Sequence, residues 1–68
     1  PAQRRKLRMI LEYIVQTFTP GVRYSEKQVN QILSRYHPDT ATLRRELIGA
    51  RLMSRTAGEY WLNEADQG

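Results

Sequence analysis

Pro38 constrains the fold of this 68-residue chain more than any other residue, because one apolar pattern ends just before it and another begins just after. A proline disfavours α geometry in the residue ahead of it, so His37 is pushed out of any helix. The stripe Val29, Ile32, Leu33, Tyr36 then has to stop near Tyr36. Asp39 follows at once, with a carboxylate that can accept from the free amides of a new helix and a charge that complements its N-terminus. About three residues remain between the two helices, a gap that fits helix-turn-helix.

The start of the second helix is written just as locally. Ser25 and Gln28 have the S-x-x-Q spacing of a capping box, and Tyr24 with Val29 occupy the positions of a hydrophobic staple. Upstream, Leu7, Ile10, Leu11, Ile14 and Phe18, widened by Val15, predict a first helix from about Ala2 to Thr17, which Pro20-Gly21 ends. Val22-Arg23-Tyr24 fits one short strand. Beyond the third helix, Met53 to Thr56 and Glu59 to Leu62 flank Ala57-Gly58 and read as a hairpin, with strand-favouring Tyr60-Trp61-Leu62 in its second arm. Trp61 is expected in the core. Asn63 to Gly68 is a polar acidic tail expected to fray. Helix, strand, helix, helix, hairpin is the order of a winged helix: an α+β fold, mainly α, in one domain over residues 1–62.

A chain of this size buries roughly 60% of the surface its unfolded form exposes. With no cysteine to staple so small a core, stability has to come from fitted helix packing. No apolar run approaches the ~20 residues of a membrane span, and the basic start lacks a signal peptide's apolar stretch, so a soluble cytoplasmic protein is expected. Eleven Lys plus Arg stand against seven Asp plus Glu for a net +4, but unevenly. Residues 1–58 hold every base and only Glu12, Glu26, Asp39 and Glu46 among the acids, so that part carries +7. Charge of this sign attracts phosphate backbones. Arg4, Arg5, Lys6 and Arg8 crowd the first helix's N-terminal turns, where the dipole favours acids. Two accounts fit that cluster, a solvated helix end and a phosphate contact.

In Thr42-Leu43-Arg44-Arg45-Glu46-Leu47-Ile48-Gly49, Leu43 and Leu47 share one helical face, and Arg44 and Arg45 project sideways and outward from it. If this is a recognition helix, Ala41, Thr42 and Arg45 are nominated for base edges and Arg44, on the flank, for phosphate. The competing account for either arginine is pairing with Glu46, Glu12 or another acid. Lys27, Ser54 and Arg55 are second-rank DNA contacts near the second helix's start and the wing. His37 is the only histidine and has no cysteine or second histidine to complete a metal set, so it suggests a turn hydrogen bond. Serines 25, 34 and 54 lack a base other than His37, and the glycines are too scattered for a phosphate loop. Neither an enzyme nor a cofactor is expected.

Tyr24-Ser25-Glu26-Lys27-Gln28-Val29-Asn30-Gln31-Ile32-Leu33, Tyr36-His37-Pro38-Asp39 and Ala41-Thr42-Leu43-Arg44-Arg45-Glu46-Leu47 together resemble the prokaryotic domain of unknown function 2087. The resemblance runs from about Leu7 to Trp61 and is most specific in the last of these segments. It implies a winged-helix fold and the setting of a transcriptional regulator, with no established activity. The family pattern usually has an aromatic residue where this chain has Thr40 and a glycine where it has Arg51, so the turn into the wing is expected to differ from the family's.

The leading expectation is thus a DNA-binding or auxiliary domain of a bacterial regulator, with duplex DNA as partner. Its weak point is that the recognition helix has no Asn or Gln to read adenine. The alternative is a winged helix that docks a partner regulator domain or pairs with itself as a homodimer through an exposed patch of Met9, Tyr13 and Ile48.

Overall fold

The computed structural model describes residues 2–64. Its elements are α1 (Ala2–Ile14), extended by a 3₁₀ turn over Val15–Thr17, then β1 (Tyr24–Ser25), α2 (Glu26–Leu33), α3 (Thr40–Gly49), β2 (Met53–Thr56) and β3 (Glu59–Leu62). The three strands form one antiparallel sheet in the order β1-β3-β2. Three helices and a hairpin wing in this order are a mainly α, α+β arrangement of winged-helix type.

Eight side chains from every part of the chain meet in the core: Leu11, Ile14 and Phe18 of the first helical segment, Val29 and Leu33 of α2, Leu47 of α3, Met53 of β2 and Tyr60 of β3. Leu7 and Val15 pack at its margin. Ile10, expected in the same stripe, is instead 54% exposed. Steps of about 100° per residue put it on the flank of Tyr13, whose ring meets that of Tyr36 edge to face, 6.3 Å between centroids, and that flank stays partly open.

Both halves of the capping box form at the start of α2. Ser25 Oγ accepts the Gln28 amide at 3.1 Å, and Gln28 Oε1 accepts the Ser25 amide at 2.8 Å. Ser25→Ala should therefore lower stability by about 1 kcal/mol in a urea titration, and no change would place the helix start elsewhere. At the other end α2 stops at Leu33, three residues before the expected end. Ser34 Oγ donates back to the Gln31 carbonyl at 2.8 Å, a local bond that competes with helix propagation. Tyr36 and His37 still donate to Leu33 O, at 2.9 and 3.2 Å, so a wound turn over residues 34–39 replaces the three-residue gap.

α3 ends in a turn at Arg51. The Leu52 amide donates to Leu47 O and the Arg51 amide to Ile48 O, both at 3.0 Å, which is the Schellman pattern with Arg51 in its left-handed position at φ 61°. Glycine occupies that position without a Cβ clash. Arg51→Gly should accordingly raise stability by about 1 kcal/mol, read as a higher urea midpoint with unchanged slope. A loss would mean that the arginine side chain contributes more than its backbone costs.

The hairpin forms as expected, with Ala57 and Gly58 at φ 53° and 81° in a two-residue loop of the type I′ sort that matches strand twist. Register decides which aromatic enters the core. Tyr60 lies opposite both Tyr24 and Arg55 and points inward, so Trp61, one residue on, faces the other side of the sheet. The expectation of a core Trp61 is corrected: it is half-buried under the Arg23 guanidinium, 3.8 Å above its ring. Asn63, the first residue of the expected tail, donates through Nδ2 to Arg51 O at 2.8 Å and through its amide to Leu52 O at 3.0 Å. Residues 65–68 of that tail lie outside the described residues.

Candidate nucleic-acid interface

Asp39 begins α3 as the sequence suggests. Its Oδ1 accepts the Thr42 amide at 3.1 Å, its Oδ2 accepts the Thr42 hydroxyl at 2.7 Å, and its own amide donates to His37 Nδ1 at 3.0 Å. Those two bonds from Thr42, hydroxyl first and amide second, hold the Asp39 carboxyl below the ordinary aspartate range, with Arg45 and His37 adding to the effect. The lowered pKa means that the charged cap favours the folded state. Its contribution is complete above the ordinary aspartate range and lost as pH falls through the lowered value. Urea titrations at successively lower pH should show a steeper acid loss for the native chain than for Asp39→Asn; parallel curves would remove Asp39 from the linkage.

The outward side of α3 differs from expectation in one important respect. Arg44 does not project outward: its side chain is only 18% exposed and turns toward α2. There Nη1 donates to Asn30 Oδ1, and Nε lies 4.0 Å from Glu26 Oε1, buried without a hydrogen-bond partner. Glu26 also accepts from the Tyr60 hydroxyl at 3.0 Å, which in turn receives Arg55 Nη1 at 3.5 Å. Glu26 and Asn30, four apart on α2, thus present one face that captures Arg44 and links α2 to α3 and the sheet. The pairing with another acid, the competing account for Arg44, is the arrangement found.

Arg45 does project. It is exposed and makes one hydrogen bond, from Nη2 to Thr42 Oγ1 at 3.2 Å. Thr42 is exposed as expected, but its hydroxyl already serves Asp39 and Arg45. Ala41 is half-buried, which leaves less of it to reach a base edge than an outward position would. Ser54 sits at the base of the hairpin rather than its tip, and its hydroxyl is hydrogen-bonded to Asn63 Oδ1. Lys27 is exposed on the first turn of α2.

Of the nominated residues, the fold brings Arg44, Arg45 and Arg55 to one cleft between α3 and the wing, whose other lining residues are Ile48 and Tyr60. Arg55 reaches it because strand alternation puts it on the same face as Tyr60, its cross-strand partner. Arg45 also lines a second, adjoining cleft together with Arg4 and Arg8 of α1 and with the acid Glu46. Arg8 is partly committed there, pairing with Glu12 at 3.1 Å and capping α3 by donating to Ala50 O at 2.9 Å. Ile48 and Tyr60 were not nominated for the site. Ile48 carried a signal in its outward helical position, whereas Tyr60 carried none, since its hydroxyl reaches the cleft only through the sheet register.

The model of a bacterial family described as an uncharacterized protein conserved in bacteria (DUF2087) matches residues 1–62. No curated protein and no solved structure matches the chain. With nearly all of its residues inside that match, the chain belongs to the DUF2087 family of bacterial proteins.

Proposed function

We propose that this domain binds duplex DNA as part of a bacterial transcriptional regulator, with α3 against the groove and the hairpin wing against the backbone. What carries the reading is Arg45, exposed on α3, which borders the cleft it shares with Arg44 and Arg55 beside the wing and also a second cleft where Arg4 and Arg8 of α1 stand with the single acid Glu46. A polyanion neutralises such a surface and releases its own counterions in doing so. Arg45 and Thr42 are the exposed side chains of α3 among those the sequence nominates for base edges, Arg45 is equally placed to meet a phosphate beside the wing, and the helix offers no Asn or Gln, so binding is weak and tolerant of sequence. No catalytic step and no cofactor are assigned: His37 Nδ1 is already taken by the Asp39 amide, which leaves the serines without a free base there. Chromosomal DNA puts the site of action in the cytoplasm. No helix among the described residues is long and apolar enough to cross a membrane.

Fluorescence anisotropy of a labelled mixed-sequence duplex tests this reading. Binding should be measurable at micromolar protein in about 50 mM salt and fall steeply toward about 200 mM. No binding at the lower salt overturns it.

A second reading has its own observation. Met9, Ile10 and Tyr13 are 63%, 54% and 65% exposed on one side of α1, more apolar surface than scattered surface residues usually give. Ile48 is not part of that patch, because it is half-buried beside the arginine cleft. In this reading α1 docks a partner regulator domain or a second copy of the chain, and concentration-dependent sedimentation that Tyr13→Lys abolishes would favour it.

A further inference from the structure

Guanidinium groups from separate elements do not line one hollow without repelling each other, unless something there offsets their charge. Arg45 comes from the outward side of α3 and Arg55 from β2, with Arg44 between α3 and α2 behind them, around a hollow of 410 Å³. The ion pairs among the described residues are Arg8 with Glu12, Arg23 with Glu59, and Arg44 with Glu26. Neither Arg45 nor Arg55 therefore has a carboxylate within 4.0 Å in the described residues. Arg44 is only partly compensated, since its one acid stands 4.0 Å away and is shared with the Tyr60 hydroxyl.

We infer that this hollow is a phosphate site, in which Arg45 and Arg55 grip one phosphate group from two sides while Arg44 adds fixed positive charge at the back. Two guanidinium forks that arrive from different elements suit an anion with several oxygens around a tetrahedral centre. A carboxylate has two oxygens, enough for one fork. Ile48 gives the hollow one apolar wall, which strengthens the charge interactions beside it, and the Tyr60 hydroxyl lies at its inner edge. The hydrogen bond from Arg55 to the Tyr60 hydroxyl aims its guanidinium along the inner face of the sheet toward α3. The inference deepens the DNA reading and rests on it only for the source of the phosphate, a backbone phosphodiester. A free phosphorylated compound offers the same chemistry.

The isotope-labelled full chain is titrated with inorganic pyrophosphate and, separately, with a short mixed-sequence duplex, while NMR follows arginine Nε–Hε and isoleucine methyl signals. Both probes should move Arg45, Arg55 and Ile48 saturably. The double substitution Arg45→Ala, Arg55→Ala should weaken pyrophosphate binding at least about tenfold, as expected for losing charge-assisted hydrogen bonds. Arg55→Lys should fall between, because it keeps the charge and loses the fork. Arg23→Ala, on the opposite face of the sheet, should behave as the native chain. Shifts spread evenly over all arginines, or a double variant no weaker than Arg23→Ala, overturn the site. If pyrophosphate occupies the hollow and the duplex does not bind, the phosphate site stands with a free phosphorylated compound as its ligand, and the DNA reading fails. If the duplex binds while neither probe moves Arg45 or Arg55, the phosphate site fails, and DNA binding is retained only through a surface other than α3 and the wing cleft.

Discussion

Leu47→Ala should lower stability by about 2 to 5 kcal/mol, a large part of what a domain of this size possesses. Leu47 is fully buried, on the one side of α3 that faces the core shared with Leu33, Met53 and Tyr60. Truncation there removes apolar contact and leaves a cavity under the helix. Its neighbours come from α2 and the sheet as well as α3, so they cannot all move in to fill it. The carbonyl of the same residue receives the Leu52 amide, so loosened packing also disturbs the turn into the wing. Leu43, one turn earlier and half-buried, should cost clearly less when replaced by alanine. Urea unfolding followed by circular dichroism measures both. If Leu43→Ala proves the more damaging, α3 is rolled about its axis relative to the geometry described above.

Neighbouring arginines should separate, Arg44 through the fold and Arg45 through DNA. Arg44→Ala should destabilise the fold by about 1 to 3 kcal/mol, because it strips a partner from Asn30 Oδ1 and from the half-exposed Glu26 carboxylate. Arg45→Ala should leave stability within about 0.5 kcal/mol, since its single hydrogen bond is an exposed one to Thr42. On duplex DNA the order reverses. Arg45→Ala should shallow the salt dependence by about one unit with all sequences weakened alike, as loss of a phosphate contact does; a cost of about 1 to 3 kcal/mol in discrimination would instead put the side chain on a guanine edge and take it out of the phosphate site. Arg44→Ala, measured at a temperature where the variant is folded, should change affinity less. Equal stability losses would mean that Arg44 swings out of its place against α2. An Arg45→Ala variant that binds duplex as the native chain does would end the assignment of α3 as the reading helix.

Where the controlling interaction is local, the sequence alone determined the outcome. Ser25 with Gln28, Asp39 with Thr42, and the Ala57-Gly58 loop each act within a few residues, and all three form where their spacing indicates. The periodicity of the helices settled which leucines are buried, Leu11, Leu33 and Leu47 among them. These features give the order of elements and hence the winged-helix arrangement. Tertiary structure alone decided the rest. Helical geometry allows Arg44 a flank position, but only the packing of α2 against α3 sets Glu26 and Asn30 there to draw it inward. Strand alternation requires one of Tyr60 and Trp61 to face inward, yet the pairing of β3 with β1 and β2 selects Tyr60. Ile10 obeys the helical period and is still exposed, because period defines a face and the neighbouring elements define how much of it is covered. The sequence nominated the arginines of the cleft separately, but not their meeting: Arg45 and Arg55 stand ten positions apart and meet because the hairpin folds back beside α3.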